Sequence, residues 1–237
     1  MNLILLEDGD FVAADRVVLR GRRLQHIRDV LRAETGQSLR VGRLNGSLGT
    51  AGVVSFAAEQ VELRVVLDQP PPAPQPLTLL LALPRPKVLK RILQAVAGLG
   101  VKQVVLLNSW RVDKSYWQSP LLTPAALRAQ LLLGLEQGRD TVLPEVLSRP
   151  RFKPFVEDEL PQLLAGHTGY LADPGATVPC PAAASGPLLL AVGPEGGFIP
   201  YEVDLLTAAG LQPVHLGARA LRVETAVAAL LGRLLPI

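Results

Sequence analysis

PLLLAVGPEGGF, residues 187–198, decides how this chain is read. The run from Leu188 to Val192 is apolar and short, as a strand buried on both faces would be. It passes directly into Gly193-Pro194-Glu195-Gly196-Gly197. Three glycines in five residues allow a sharp turn and bring backbone N–H and C=O groups close to a ligand without Cβ obstruction. The plain alternative is a tight strand–helix turn. Pro200 and Glu202 then mark the entrance of a helix over 201–209.

The same unit, apolar run then helix, recurs in both directions. LQPVHLG (211–217) precedes a helix over 224–235, and TGYLADP (168–174) is a further strand run. Upstream, LTLLLALP (77–84) and VKQVVLLNS (101–109) flank a helix over 87–99, whose Val88, Leu89, Ile92, Leu93 and Val96 share one face. Thr123-Pro124 supplies an N-cap and a first-turn proline for another helix. Strands alternating with helices predict an α/β fold with a mainly parallel, doubly covered sheet, and ligands in such sheets sit at the carboxyl ends of the strands.

Working back, the pattern changes at QPPPAPQP, residues 69–76. Five prolines in eight residues exclude a helix or an interior strand and predict a stiff linker. The division expected is therefore 1–68, a linker at 69–76, and 77–237. Before the linker, LRVGRLNG (39–46), AGVVSF (51–56) and VELRVVLD (61–68) read as strands of a small barrel or sandwich. Leu24, Ile27, Val30 and Leu31 fall at helical spacing within 23–32.

Composition narrows the class. With 237 residues, 49% hydrophobic and 19% charged, the chain can bury enough surface to order itself, which excludes a disordered protein. No apolar run approaches the roughly 18 residues of a membrane span. The start lacks the basic leader and cleavage region of a secretory signal. The single Cys180 rules out an internal disulfide and reads as an ordinary loop thiol. A soluble, cytoplasmic protein is expected. Of the basic residues 19 are Arg and 5 are Lys, and eight Arg stand between Arg16 and Arg43 against Asp29 and Glu34. Arginine forks suit phosphate, so this stretch suggests a polyanionic partner; an arginine-rich composition from GC-rich coding accounts for it equally well.

Several chemistries are missing. There is no P-loop, no GxGxxG opening a helix, and no GxSxG elbow. His26, His167 and His215 stand singly, without the spacing of a metal site. What remains lies after the strands: the 193–197 loop; HLGARALRVETA (215–226), a second glycine loop with Arg222 and Glu224 before an apolar helix; and NSWRVDK (108–114). Arg222 and Glu224 fit a structural salt bridge or cap. They fit equally well a planar ring of the uracil type, Arg donating to its carbonyls and Glu accepting its N–H. NSWRVDK is either a solvated loop or a phosphate or base contact.

Taken in order, QHIRDVLRAETGQSL (25–39), LALPRPKVLKRILQAVAGLGV (81–101), WRVDK (110–114), LEQGRDTVLPEV (135–146), LLLAVGPEGGF (188–198) and LGARALRVETA (216–226) resemble the RsmE-type 16S ribosomal RNA (uridine-N3) methyltransferases of the SPOUT superfamily. GPEGG followed at this distance by LGxRxLRxETA is the most specific part. The resemblance spans nearly the whole chain. It implies a PUA-like β-barrel that binds RNA over 1–68, then a SPOUT methyltransferase domain with a C-terminal trefoil knot over 77–237. It further implies a homodimer, 16S rRNA of the small ribosomal subunit as partner, and S-adenosyl-L-methionine as cofactor, with no metal.

Carried over by position, the cofactor residues are Leu171, Ala172, Gly193, Pro194, Glu195, Gly196, Gly197, Leu216, Gly217, Leu221 and Thr225. Arg222 and Glu224 fall beside the methyl group. The implied reaction removes a proton from uridine N3, for which Glu224 is the candidate acceptor and Arg222 the stabiliser of the uracil anion. Arg22, Arg23, Arg28, Arg32 and Arg111 are the expected RNA contacts. A SPOUT enzyme acting on tRNA and a non-catalytic RNA-binding assembly factor are the other readings.

Overall fold

The computed structural model describes residues 2–235. The chain forms two compact units. One runs to Ala73 and takes in Leu132–Leu143; the other is Pro74–Leu131 together with the chain from Pro144 onward.

The first unit contains β1 (Ile4–Leu6), β2 (Phe11–Ala13), β3 (Arg16–Leu19), α1 (Gly21–Gln25), β4 (Ser38–Arg43), β5 (Leu48–Phe56) and β6 (Val61–Gln69). These strands form one sheet in the order β1-β4-β5-β6-β3-β2. β1 runs parallel to β4 and the other pairs are antiparallel. Alternation sets the faces: Val61, Leu63 and Val65 are buried while Arg64 and Val66 face out, as a period of two requires. Gly49 is a steric necessity, because a Cβ there would lie 1.8 Å from the Val66 carbonyl oxygen. The helix expected over 23–32 is a short α turn that widens into a π turn at His26–Val30. Leu24 and Ile27 reach the core, but the widened turn rotates Val30 and Leu31 into solvent.

The Leu132–Leu143 segment is held here by long-range backbone bonds. The Glu136 carbonyl accepts the N–H groups of Asn2 and Leu3, and Asn45 N–H donates to the Thr141 carbonyl at 2.8 Å.

The second unit contains β7 (Gln75–Ala82), α2 (Pro86–Gly98), β8 (Val101–Leu107), α3 (Pro124–Gly138), β9 (Glu145–Arg149), α4 (Phe152–Pro154), α5 (Leu160–Leu164), β10 (Thr168–Ala172), β11 (Leu188–Val192), α6 (Pro200–Ala208), β12 (Leu211–Val214) and α7 (Val223–Leu234); α3 continues past Leu131 into the first unit. The sheet order is β12-β10-β11-β7-β8-β9, and every pairing is parallel. β7 and β11 lie inside the sheet, which is why their sequences are continuous apolar runs: Leu79, Leu80, Leu81, Leu189, Leu190 and Ala191 are fully buried. Leu80, Leu189 and Ala191 share one hydrophobic cluster with Phe155, Val156, Leu160 and Leu206. α2 packs on α7; it buries Leu89, Ile92, Leu93 and Val96, with Val88 half-buried, and α7 buries Val223, Val227, Leu230, Leu231 and Leu234.

Strands β8 and β9 extend from β7 on one side, and β11, β10 and β12 on the other, so the order reverses at β7. The connection between β10 and β11 is tied to elements that come later in the chain. Cys180 N–H donates to the His215 carbonyl, and the N–H groups of Ala183 and Ala184 donate to the carbonyls of Arg233 and Leu234 on α7. Arg233 returns a bond to the Cys180 carbonyl. Cys180 is thus no ordinary loop thiol. It is fully buried, and burial pushes its thiol pKa up, against a smaller opposing pull from Arg233.

Candidate functional site

The carboxyl ends of β10, β11 and β12 open onto one pocket. Its walls come from Ala172–Pro174 after β10, from Val192–Glu195 and Gly197 after β11, from Val214–Gly217 after β12, and from Val223, Ala226 and Leu230 on α7; Arg219 and Leu221 complete it. Eight of the expected cofactor residues meet here: Ala172, Gly193, Pro194, Glu195, Gly197, Leu216, Gly217 and Leu221. Three do not line it. Leu171 is fully buried within the sheet cluster, Gly196 faces the Arg111 side chain, and Thr225 is exposed on the first turn of α7. Asp173, His215, Ala226 and Leu230 were not foreseen. The turn sequence Asp173-Pro174-Gly175 after a strand was the available signal, and Asp173 does close an Asx turn by accepting Gly175 N–H at 2.9 Å.

The two glycine loops work differently. Gly217 has φ +111°, and a Cβ there would meet nothing within 4 Å; the backbone conformation demands glycine and leaves open space. A Cβ on Gly193 would instead lie 3.1 Å from Gly197 Cα and Phe198 N, so that glycine lets the 193–198 loop close on itself. The pocket combines aliphatic walls with backbone edges, the carboxylates of Asp173 and Glu195, the Arg219 guanidinium and the His215 imidazole. That lining suits a small molecule that is apolar over much of its surface and carries several polar groups.

A second cavity of ≈ 950 Å³ is lined by Arg85, Pro86, Lys87, Val88 and Arg91 from the start of α2, by Tyr116, and by Ala220–Glu224; Glu195, Leu221 and Val223 also line the first pocket. Arg222 and Glu224 lie here, but they do not pair with each other. Arg222 is the residue before α7, with extended backbone (φ −66°, ψ 151°), whereas Glu224 is in the first turn. Two positions apart at a helix entrance, the side chains do not face one another. Glu224 instead meets Arg91 at 3.3 Å, and the Arg222 guanidinium has no partner among the described residues.

Glu202 is the functional-site residue that sequence reasoning undervalued. Its side chain is buried, and it accepts Trp110 N–H at 2.7 Å and Ile199 N–H at 3.0 Å. A helix-entrance carboxylate thereby anchors the 108–114 loop to α6. From that loop Arg111 donates to the Gly196 carbonyl, and Trp110 projects its ring into solvent at 80% exposure.

Among the other expected RNA contacts, Arg22 makes a two-pronged bond to the buried Glu136 at 2.9 and 2.7 Å, a bond that raises its pKa. Arg23 makes a two-pronged bond to Asp10. Arg28 donates to the carbonyls of Ala57 and Ala58. Arg32 is exposed and without a partner among the described residues. The described residues hold no cluster of His, Cys, Asp and Glu able to bind a metal. No described helix is long and apolar enough to cross a membrane.

Residues 71–235 match the RNA methyltransferase domain family. The chain is 32% identical to ribosomal RNA small subunit methyltransferase E of Treponema pallidum, over 97% of this chain and 88% of that one. It is 30% identical to the Mycobacterium bovis protein of the same name, over 87% and 81%. The fold is similar to that of ribosomal RNA small subunit methyltransferase E from Neisseria gonorrhoeae, whose crystal structure contains S-adenosyl methionine; the TM-score is 0.74 at 22% identity, covering 98% of this chain and 95% of that one.

Proposed function

We infer the activity from one premise: the chain belongs to the ribosomal RNA small subunit methyltransferase E family, within the RNA methyltransferases. It is an S-adenosylmethionine-dependent enzyme that methylates small-subunit ribosomal RNA, and its target atom is N3 of a uridine in 16S rRNA. The observation that carries this reading is the pair of cavities sharing the wall Glu195, Leu221 and Val223. One has the lining for the methyl donor, and the other, edged by cations, takes the nucleotide.

When bound, S-adenosylmethionine supplies a methyl group already activated on a sulfonium. The chain's own residues then have two tasks. They hold donor and acceptor in line, and they make uridine N3 a nucleophile by taking its proton. Glu224 accepts that proton, and Arg222 donates to the adjacent carbonyl oxygen as negative charge grows on the ring. An unpartnered Arg222 supports this role, since its guanidinium is free to bind the anion. The Arg91–Glu224 contact supports a carboxylate held in place rather than swinging in solvent.

Further parts of the reading extend beyond the family. The C-terminal strands and α7 form a trefoil knot, a reading supported by the bonds that tie the 179–184 segment to His215, Arg233 and Leu234. The first unit is a PUA-like barrel, whose Arg22, Arg23, Arg28 and Arg32 belong to the RNA-binding set together with Arg111 of the second unit. Arg32 is the freest of these; Arg22 and Arg23 already hold carboxylates. The enzyme is cytoplasmic and homodimeric, and exposed Trp110 and Tyr201 are surface a second copy would cover.

The experiment is incubation of the protein with S-adenosylmethionine labelled on its methyl group and unmethylated small subunits, followed by mass spectrometry of the rRNA nucleosides. N3-methyluridine is the expected product. Label on another nucleoside only, or cofactor affinity without transfer, overturns the reading.

A further inference from the structure

The second cavity carries more charge than the reaction requires. Arg85, Lys87, Arg91 and Arg222 line it against Glu195 and Glu224, a surplus of two positive charges. Both carboxylates are engaged: Glu195 accepts the backbone N–H of Arg85 at 3.1 Å, and Glu224 holds Arg91. The side chains of Arg85, Lys87 and Arg222 therefore have no partner among the described residues. A net surplus of cations on one concave wall attracts an anion. Arg222 is accounted for by the developing charge on the base, but Arg85 and Lys87 are not. Tyr116 sits on the same wall, half-buried, in a short turn (Lys114–Gln118) begun by Asp113. Among the described residues its ring is the one aromatic group lining the cavity. Cations beside an aromatic face are what a single RNA strand calls for, phosphates on the former and a base on the latter.

We propose that this cleft receives the target nucleotide with its flanking phosphates: Arg85 and Lys87 hold phosphate oxygens, Tyr116 stacks on a base, and Arg91 is a positioning residue that keeps the Glu224 carboxylate at the cleft wall. The proposal rests on the methyl-transfer reading above and assigns its RNA contacts within the second unit.

The test uses the full chain and small-subunit rRNA transcribed in vitro. The double variant Arg85→Ala/Lys87→Ala removes exposed, unpartnered side chains. It should weaken rRNA binding tenfold or more and reduce the salt dependence of log K by about 1.4, roughly 0.7 for each single-strand phosphate contact. S-adenosylmethionine affinity should not move. Irradiation of 4-thiouridine-substituted rRNA should crosslink the peptide carrying Tyr116. Tyr116→Phe should bind as wild type, and Tyr116→Leu about tenfold more weakly. Arg91→Ala should lower the rate at saturating rRNA without changing rRNA affinity, and Arg91→Lys should recover most of it.

An unchanged salt slope in the double variant, or crosslinks confined to other peptides, overturns the cleft assignment even if methylation proceeds. A wild-type protein that transfers no methyl group overturns the enzymatic reading instead, while the binding and crosslinking results still decide whether the cleft takes RNA.

Discussion

In the first unit Arg22 and Arg23 are matched by the buried carboxylates of Glu136 and Asp10, whereas in the second unit Arg85, Lys87 and Arg222 line a cavity without an ion-pair partner among the described residues. The residue types are alike and the consequences differ. A cation bound to a buried carboxylate is part of the fold, because removing it strands a charge away from water. A cation facing an open cavity contributes little to stability and remains available to a ligand. Counting arginines along the chain points to the 16–43 stretch as the anion-binding region. Asking which unpartnered cations share one cavity points to the entrances of α2 and α7.

The largest effect that would break this contrast is on catalysis. Arg222→Ala should lower single-turnover methylation by about 10²-fold or more and leave S-adenosylmethionine affinity unchanged, measured by calorimetric titration. Glu224→Gln keeps the shape but removes the proton acceptor; a wild-type rate across pH would assign Glu224 to positioning alone.

Next in size is stability. Arg23→Ala leaves Asp10, itself 9% exposed, as an uncompensated carboxylate and should destabilise the protein by on the order of 3 kcal/mol in urea unfolding. Arg85→Ala should stay within about 0.5 kcal/mol of wild type. Equal losses at the two positions would erase the distinction between the units.

Arg32→Ala tests the expected RNA contact of the first unit that has no partner among the described residues. It should leave unfolding unaltered and reduce the salt slope of rRNA binding by about 0.7–0.9, the share of one phosphate. A smaller effect still is expected at Asp113, whose carboxyl is held below its ordinary value by the backbone N–H of Ser115, with the Ser115 side chain adding to it. The folded pKa is depressed, so the turn is favoured above the ordinary value near 3.8 and loses that support as pH falls through the lower folded value. An NMR titration of the Asp113 carboxyl should place its midpoint below that of an unstructured Asp.

Much of the second unit was legible because its signals are local. Leu188–Val192 is a continuous apolar run because both faces of β11 are covered, and Val223–Leu234 shows the helical period because only one face of α7 is. The loops at 193–197 and 215–221 carry glycine where φ or close approach requires it, so the sequence announced them, and eight residues read from it line one pocket. Where local patterning was the wrong guide, a tertiary reason is visible. Val30 and Leu31 kept the helical spacing but lost the core to a π turn, and Leu171 lies at the right strand end with its side chain in the sheet.

The sequence by itself determined the alternation of strands and helices, the glycine loops, and the family, since each is written in neighbouring residues or in a spaced motif. Only the tertiary structure decided which charges are free. Arg22 finds Glu136 across 114 positions, and Arg91 finds Glu224 across 133, separations over which no periodicity speaks. It also decided that Leu132–Leu143 belongs with the first unit, although α3 crosses that point unbroken. Helical propensity depends on nearest neighbours along the chain, while the packing of each turn depends on residues that folding alone brings within reach.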